Sequence, residues 1–223
     1  MNRKLVVAFV VLVVVVSVTS ALAAQQPAAG YWEETIAAFE AQDRAAPPPV
    51  GEIVFVGSSS IRLWDTKKYF PDLTIINRGF GGSQLADAVR YADRIVIPYK
   101  PRLVVVYAGD NDIYSGATSE QVAIQAEFLV RKLRAALPDV RVVFIGIKPS
   151  LQRWAVVERM RLANVLIKAF AEHDDGVAFV DVDQAMLGWD EQPRPGLFVA
   201  DGLHLTPDGY AIWTMLLRPL LAR

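Results

Sequence analysis

The chain has 223 residues, of which 53% are apolar, and a formal net charge of −1. This length suits one domain preceded by a short leader. The near-neutral charge offers no electrostatic basis for binding nucleic acid, and the absence of cysteine excludes disulfides and thiolate metal sites.

The N-terminal segment has the three parts of a secretory signal peptide. Arg3 and Lys4 form a basic start, the apolar run Leu5–Val16 follows, and Ala21–Ala23 matches an A-x-A cleavage pattern. We therefore predict a signal peptide over residues 1–23 and export to the periplasm or the medium, with no membrane association after cleavage. The alternative is an uncleaved N-terminal membrane anchor, although the 12 strongly apolar residues fall short of the roughly 20 that a spanning helix needs.

Residues 24–49 are predicted to contain a mobile N-terminus and one helix. Apolar residues, beginning with Trp32, recur at helical spacing over Tyr31–Arg44. The prolines Pro47–Pro49 end this helix and predict an extended connector, because a residue that precedes proline avoids the helical conformation. Residues 50–223 are then predicted to form the main domain.

Beyond residue 50, short β-branched runs alternate with helical stretches. The runs are mostly continuous in apolar residues, which is typical of strands buried on both faces. Their alternation with helices indicates a parallel sheet covered on both sides. Strands are predicted over Ile53–Val56, Thr74–Ile76, Leu103–Tyr107, Val140–Ile145 and Val177–Val180, and helices over Ser119–Leu137, over Trp154–Phe170 and from the Thr206 N-cap onwards. The prediction is an α/β fold with a parallel sheet of about five strands.

Four polar or glycine-rich turns fall where this class of fold binds ligands. Gly57–Ser60, Asn77–Ser83 and Ala108–Asp112 follow the first three predicted strands, and Asp201–His204 precedes the last helix. Open parallel sheets bind ligands outside the carboxyl ends of their strands. We therefore expect these turns to form one site.

The turns contain the groups needed for acyl transfer. A serine hydroxyl becomes a nucleophile when a histidine takes its proton and a carboxylate orients that histidine. Asp201 and His204 are close enough to share one turn. Gly81 and Gly82 allow close approach of backbone N–H groups to a ligand, and Asn111 offers a side-chain donor for an oxyanion. The other histidine, His173, is predicted to lie at the end of a helix, away from the strand ends.

Other kinds of site fit these turns poorly. Asp110 and Asp112 resemble the start of a calcium loop, but Tyr114 and Ser115 stand at its fifth and sixth positions. Gly57–Ser60 has no P-loop lysine, and Asn77–Ser83 lacks the last glycine of a dinucleotide fingerprint.

The same residues resemble the SGNH hydrolases, also called GDSL esterases and lipases, over about residues 50 to 220. The segment Gly57–Ile61 is similar to the first block of that family, Asn77–Ser83 to the second, Gly109–Asp112 to the G-x-N-D block and Asp201–His204 to the D-x-x-H block. Within the family, the chain looks most similar to bacterial relatives of the platelet-activating-factor acetylhydrolase subunits.

This resemblance implies a flavodoxin-like three-layer fold, no metal and no cofactor. It implies that Ser59 is the nucleophile, His204 its base and Asp201 the group that orients the base. It also implies that the oxyanion is held by the backbone N–H groups of Ser59 and Gly82 and by the Asn111 amide. The first block of the family usually has aspartate before the serine, whereas this chain has Ser58 at that position. Three serines are therefore adjacent, and alignment on the preceding Gly57 selects Ser59 as the nucleophile.

The expected substrate is an ester of a small molecule, a glycan or a lipid. Lys148, Arg153 and Trp154 follow the fourth predicted strand and are candidates for lining the acyl or leaving-group pocket, although Ser150 equally suits the N-cap of a helix at this point. No long apolar lid is visible in the sequence, which favours short acyl groups. The alternatives are a lysophospholipase or lipase that acts on longer chains, and a glycan-binding protein with an unproductive triad on the same fold.

Overall fold

A computed structural model describes residues 30–222 of the chain. The predicted signal peptide and the stretch that follows it, up to residue 29, lie outside the described residues. Within residues 30–222, no helix combines the length and the apolar character that crossing a membrane requires.

The centre of the fold is a parallel sheet of five strands in the order β2-β1-β3-β4-β5. The strands are β1 (Ile53–Gly57), β2 (Ile75–Gly79), β3 (Leu103–Tyr107), β4 (Arg141–Ile145) and β5 (Val177–Val180). Every pair of neighbours runs parallel. The predicted α/β class and the number of strands are therefore confirmed.

Eight α-helices are present in the described part of the chain, and they cover both faces of the sheet. They are α1 (Glu33–Ala45), α2 (Ser59–Arg62), α3 (Thr66–Tyr69), α4 (Leu85–Ile95), α5 (Asp110–Tyr114), α6 (Ser119–Ala136), α7 (Val157–Glu172) and α8 (Pro207–Leu221). The helices α1, α4, α6 and α7 contribute to the core on one face, and α8 packs on the other with apolar residues from the α2–α3 region. The result is a three-layer arrangement.

Alternation along the strands divides the core between the two faces. Successive side chains of a strand point to opposite sides, so Val54 and Val56 pack under the α1, α4, α6 and α7 layer, whereas Ile53 and Phe55 pack under α8. The fully buried Trp213 of α8 lies in this second cluster. Because both faces are covered, the central strands β1 and β3 are buried at every position and do not alternate with polar residues.

The first helix belongs to the same folded unit as the sheet. Ile36 of α1 is fully buried in the first core cluster, and Arg94 of α4 forms ion pairs of 2.6 Å with both Glu33 and Glu40 of α1. Along the edge strand β2, Arg78 forms an ion pair with Asp43 of α1. These contacts hold the N-terminal helix close to the edge strand β2 and to α4.

The strand order brings the ends of β1, β2 and β3 together. Strand β1 lies between the other two, and Gly57 at its carboxyl end is in register with Gly79 and Tyr107. This is the point at which the chain reverses direction across the sheet, where open α/β folds bind ligands. Gly57 has φ +138°, and a Cβ there would lie 1.9 Å from the Tyr107 carbonyl oxygen, so only glycine permits the turn.

Candidate active site

Ser59 is the residue that the β1–α2 turn presents to solvent. The Ser58 N–H donates to the Tyr107 carbonyl at 3.0 Å, and the Tyr210 hydroxyl donates to the Ser60 carbonyl at 2.9 Å, so the turn is held from β3 and from α8. Ser58 and Ser60 are 1% and 2% exposed, whereas Ser59 is only partly buried. Among the three adjacent serines, Ser59 is therefore the accessible one.

Ser59, His204 and Asp201 form a hydrogen-bonded chain. The Oγ of Ser59 lies 2.9 Å from Nε2 of His204, and Nδ1 of His204 lies 2.5 Å from Oδ2 of Asp201. The Leu203 and His204 N–H groups donate to Oδ1 of Asp201 at 2.8 and 2.9 Å, which holds the carboxylate within the turn that carries the histidine. The structure thus brings together the three residues that the sequence proposes as a triad.

The charge of Asp201 determines which nitrogen of His204 carries the proton. The hydrogen bond from His204, helped by the two backbone N–H groups, lowers the pKa of Asp201 to about 2. An ionised carboxylate only accepts hydrogen bonds, so Nδ1 must donate its hydrogen to Asp201. The lone pair of Nε2 then faces the Ser59 hydroxyl, which is the arrangement that a general base requires.

Three N–H groups are available near Ser59 for a developing negative charge. Within residues 30–222, the backbone N–H groups of Ser59 and Gly82 donate to no protein acceptor. The Nδ2 of Asn111 donates one hydrogen to the Ser83 carbonyl at 2.9 Å, which leaves the second one free. These donors follow β1, β2 and β3, and the carboxyl ends of these three neighbouring strands lie side by side.

An aromatic residue of the N-terminal helix region packs against Gly82, a contact that periodicity did not reveal. Trp32 lies edge-on to Phe80 with ring centroids 5.5 Å apart, and its ring comes within 3.3 Å of the point where a Cβ at Gly82 would be. In the sequence, Trp32 belongs to the apolar stripe of the predicted helix. No local signal links it to a turn 50 residues away.

The structure corrects the predicted role of Lys148. Its side chain is 1% exposed, and its Nζ donates to the Tyr107 hydroxyl at 3.0 Å and to Oδ2 of Asp110 at 3.2 Å. An ammonium group that is buried and used internally does not line an open pocket. Lys148 instead lies beneath the site. The buried Asp110 carboxylate compensates its charge, as a cation inside a protein requires.

Arg153 is also buried, whereas Trp154 is only half-buried. Arg153 is 8% exposed, and its Nη2 donates to Oδ1 of Asn111 at 2.9 Å, so it contacts the site from within the protein. Trp154 begins a 3₁₀ turn before α7, and the Arg161 guanidinium lies 5.4 Å from its ring centre. Trp154 therefore stays a candidate for a pocket wall, whereas Arg153 contacts the turn that carries Asn111.

The two acidic side chains of the Asn111 turn serve the protein rather than a cation site. Asp110 faces Lys148 and Arg153, and burial, which would raise its pKa, is overcome by these two cations, so its pKa is lowered. Asp112 accepts the Leu85 N–H at 3.0 Å at the start of α4, and burial raises the pKa of this carboxyl to about 7. Asp110 is paired with two cations, and Asp112 accepts a hydrogen bond at the start of a helix, so neither carboxylate is arranged as a metal ligand.

His173 lies where the sequence predicts it, at the end of α7. Its side chain is exposed, and its Nδ1 lies 2.7 Å from the Ala169 carbonyl one turn earlier. This position is close to the amino-terminal end of β5, away from the strand ends that carry Ser59. His173 therefore has no place in the site.

Comparison with known proteins identifies the same family from sequence alone. Residues 62–212 match the model of the GDSL-like lipase/acylhydrolase family. The match includes Gly82, Asn111, Asp201 and His204 but begins three residues after Ser59, so the position of that serine rests on the geometry. The platelet-activating factor acetylhydrolase IB subunit alpha1 of Bos taurus is 28% identical over 210 residues, which cover 87% of this chain and 84% of that protein.

Solved structures share the fold at lower identity. A GDSL-like lipase from Bacteroides thetaiotaomicron superposes with a TM-score of 0.72 at 21% identity, covering 84% of this chain and 97% of the other. A mutant of an acetyl-xylooligosaccharide esterase from a Geobacillus species gives a TM-score of 0.60 at 18% identity, covering 76% and 94% of the two chains. At this level of identity, the comparison shows a common architecture.

Proposed function

Since the chain belongs to the GDSL-like lipase/acylhydrolase family, we propose that it hydrolyses carboxylic esters with Ser59 as nucleophile, His204 as base and Asp201 as the group that orients His204. The observation that carries this proposal is the hydrogen-bonded chain from Asp201 through His204 to Ser59, with distances of 2.5 and 2.9 Å. Hydrogen-bond contact between a hydroxyl, an imidazole and an ionised carboxylate is the arrangement that activates a serine.

The reaction has two halves with the same acid–base group. In the first, Oγ of Ser59 attacks the ester carbonyl while Nε2 of His204 takes its proton, and the carbonyl oxygen becomes an oxyanion held by the free N–H groups. The C–O bond to the alcohol then breaks, and the proton on Nε2 passes to the departing oxygen. In the second half, water attacks the acyl-serine carbonyl while Nε2 of His204 takes its proton. The bond between the acyl carbon and Oγ of Ser59 then breaks, Nε2 returns the proton to Oγ, and the carboxylic acid leaves.

We propose short acyl esters, of the acetyl type, as the substrate class. The names of similar proteins support this: one is a platelet-activating factor acetylhydrolase subunit and another an acetyl-xylooligosaccharide esterase. Hydrolysis of p-nitrophenyl acetate, butyrate and octanoate measures the preference. We expect kcat/KM to fall from acetate to octanoate. A preference for octanoate would favour the lipase or lysophospholipase alternative.

Activity of single variants tests the nucleophile and its base. We expect Ser59→Ala and His204→Ala each to lower kcat by roughly 10⁴-fold or more, because members of a triad act as one unit. Ser58→Ala and Ser60→Ala are matched controls, since both hydroxyls are buried beside Ser59, and we expect both variants to stay active. Full activity of Ser59→Ala would show that the nucleophile is elsewhere.

The non-catalytic alternative predicts a different result. A binding protein on this fold would be inert towards all three esters and towards acetylated glycans, and would not react with a fluorophosphonate probe. We expect the probe to label Ser59, with the labelled peptide identified by mass spectrometry. Absence of labelling, together with thermal stabilisation by a glycan without turnover, would favour the binding protein.

We further propose that the protein is exported and that the leader is removed after Ala23. The support is the basic start, the apolar run and the A-x-A pattern of residues 1–23. The intact mass of the protein recovered from fractionated cells tests this. A chain that begins at Ala24 in the periplasm or medium is the expected result, whereas the full 223-residue chain in the membrane fraction would indicate an anchor.

A further inference from the structure

Arg153 contacts the turn that carries Asn111 from inside the protein, and it belongs to none of the four segments that resemble the family blocks. We propose that Arg153 is a positioning residue, which sets the orientation of the Asn111 side-chain amide and so directs its free N–H towards the oxyanion. This inference rests on the proposed function, because Asn111 matters in this way only if an oxyanion forms.

The amide of Asn111 is held between two groups of opposite hydrogen-bonding character. Nη2 of Arg153 donates to Oδ1 of Asn111 at 2.9 Å, and Nδ2 of Asn111 donates to the Ser83 carbonyl at 2.9 Å. A guanidinium can only donate and a carbonyl can only accept. Rotating the amide by 180° would place NH₂ against the guanidinium and oxygen against the carbonyl, so one orientation alone satisfies both contacts. In that orientation, the second hydrogen of Nδ2 has no protein acceptor and is free for substrate.

The guanidinium is held in place by partners on two sides. Nη1 of Arg153 lies 3.3 Å from Oδ2 of Asp110, and the Tyr114 ring centre lies 4.6 Å from the guanidinium carbon. Asp110 is held in turn by Lys148, whose Nζ donates to it at 3.2 Å. Arg153 and Asp110 are both more than nine-tenths buried. A buried arginine with this many contacts has little freedom to move with solvent, which is what a positioning role requires.

The hydrogen bond to Asn111 is the main polar contact of the guanidinium. Lys148 and Arg153 share one buried carboxylate, that of Asp110. Nε and Nη1 of Arg153 are buried and make no hydrogen bond within the part of the chain that the structure describes. Nη2 is therefore the nitrogen through which Arg153 acts on its surroundings, and its acceptor is Oδ1 of Asn111.

A double-mutant cycle between Arg153 and Asn111 tests the inference. We expect Asn111→Ala to lower kcat by roughly 10²–10³-fold, as loss of one oxyanion donor does. Arg153→Met should lower kcat by roughly tenfold or more, within that same limit, and leave KM nearly unchanged. If Arg153 acts through Asn111, the double variant should be about as active as Asn111→Ala, because the second change removes nothing further.

Two additional variants separate a positioning role from a loss of structure. Arg153→Lys keeps a charged side chain that can donate a hydrogen bond to Asn111, and it should recover part of the turnover lost in Arg153→Met. Arg134→Met is the matched control, since Arg134 also pairs with a partly buried carboxylate, that of Asp174, but at the amino-terminal end of β5. We expect the control to retain wild-type kcat. Should Arg153→Met fail to give a folded protein by thermal denaturation, the same cycle is run with Arg153→Lys.

The outcomes distinguish failure of the inference from failure of the proposed function. Wild-type protein without ester turnover, or Ser59→Ala with full turnover, would refute the function. If turnover depends on Ser59, but Arg153→Met changes only KM or lowers the activity of Asn111→Ala by a further equal factor, the positioning role is wrong. In that case, Arg153 is a substrate contact, or it acts independently of Asn111.

Discussion

Replacing Asp201 with asparagine is expected to reverse the tautomer of His204. In the wild type, Oδ1 accepts two backbone N–H groups, those of Leu203 and His204, and Oδ2 accepts the Nδ1 hydrogen. The asparagine oxygen must remain opposite the backbone donors, because the other orientation would bring its NH₂ against two N–H groups. The NH₂ then faces Nδ1, which has to become an acceptor, and the proton moves to Nε2. His204 would then have no lone pair facing Ser59.

The expected loss follows from the role of the base. An imidazole in the wrong tautomer cannot accept the serine proton, and such a change costs about 10⁴-fold in kcat in a serine hydrolase triad. This corresponds to about 5.5 kcal/mol of transition-state stabilisation, at 1.36 kcal/mol for each tenfold change in rate. Neither the Ser59 hydroxyl nor the oxyanion donors are altered, so KM for a short ester should change little.

Steady-state hydrolysis of p-nitrophenyl acetate measures this loss, with Asp208→Asn as a matched control on the exposed first turn of α8. Because the pKa of Asp201 is lowered to about 2, its carboxylate is ionised at every pH above about 4. Titration of Asp201 itself should therefore make no contribution to the pH dependence of wild-type kcat between pH 5 and pH 8. A fall of less than tenfold in kcat would refute the proposed tautomer control.

Three further changes test other parts of the site. Gly82→Ala should destabilise the fold by about 1–3 kcal/mol and lower turnover, because the residue has φ +83° and a Cβ would lie 3.3 Å from Trp32; urea denaturation and ester hydrolysis measure both effects. Tyr210→Phe should cost about 1–3 kcal/mol in urea denaturation, because the Ser60 carbonyl loses its buried donor. Asp112→Asn should change the pH dependence of stability. Burial raises the pKa of this carboxyl to about 7, above the value of about 3.9 in an unfolded chain. The contribution of this group to wild-type stability should therefore fall as pH rises from about 4 to 7, by at most about 1.4 kcal/mol per pH unit. The variant lacks this contribution.

Each of these three changes has a result that contradicts its reasoning. Wild-type stability and turnover in Gly82→Ala would show that the turn accommodates a Cβ without moving the N–H group of residue 82. Unchanged stability in Tyr210→Phe would mean that solvent replaces the lost donor. For Asp112→Asn, the difference in unfolding free energy between variant and wild type is compared at pH 4 and pH 7. An equal difference at both values would show that folding does not raise the pKa of Asp112.

The predicted strands agree with the structure best where the chain is apolar on both faces. Leu103–Tyr107 and Val177–Val180 were predicted with the bounds that they have in the structure. Strand β2 was predicted to end at Ile76 but continues to Gly79. Its polar residues are stable there because Asn77 donates to the Ile61 and Trp64 carbonyls, and Arg78 pairs with Asp43. Apolar periodicity cannot reveal such a strand, because its support comes from distant residues.

The side chains after β4 also show that the sequence predicts the position of a residue along the fold but not its distant partners. The sequence placed Lys148 and Arg153 at the mouth of the sheet, which is the correct end, since both follow the fourth strand. It did not reveal that both are buried beside Asp110. Charged residues are ordinarily at the surface, and only a buried partner of opposite charge reverses that expectation. The helix in this region also begins later than predicted, at Val157, after a 3₁₀ turn.

The sequence by itself determined the class of fold and the position of the four turns, because these depend on neighbouring residues. Apolar runs, helical spacing and turn residues are local properties, and the ends of parallel strands must meet at one edge of the sheet. Only the tertiary structure decided which polar atoms are partners. Ser59 and His204 are separated by 145 residues yet lie 2.9 Å apart, and Arg153 reaches Asn111 from a different strand. A hydrogen bond depends on distances of about 3 Å, and these are set by the packing of strands and helices that are far apart in the chain.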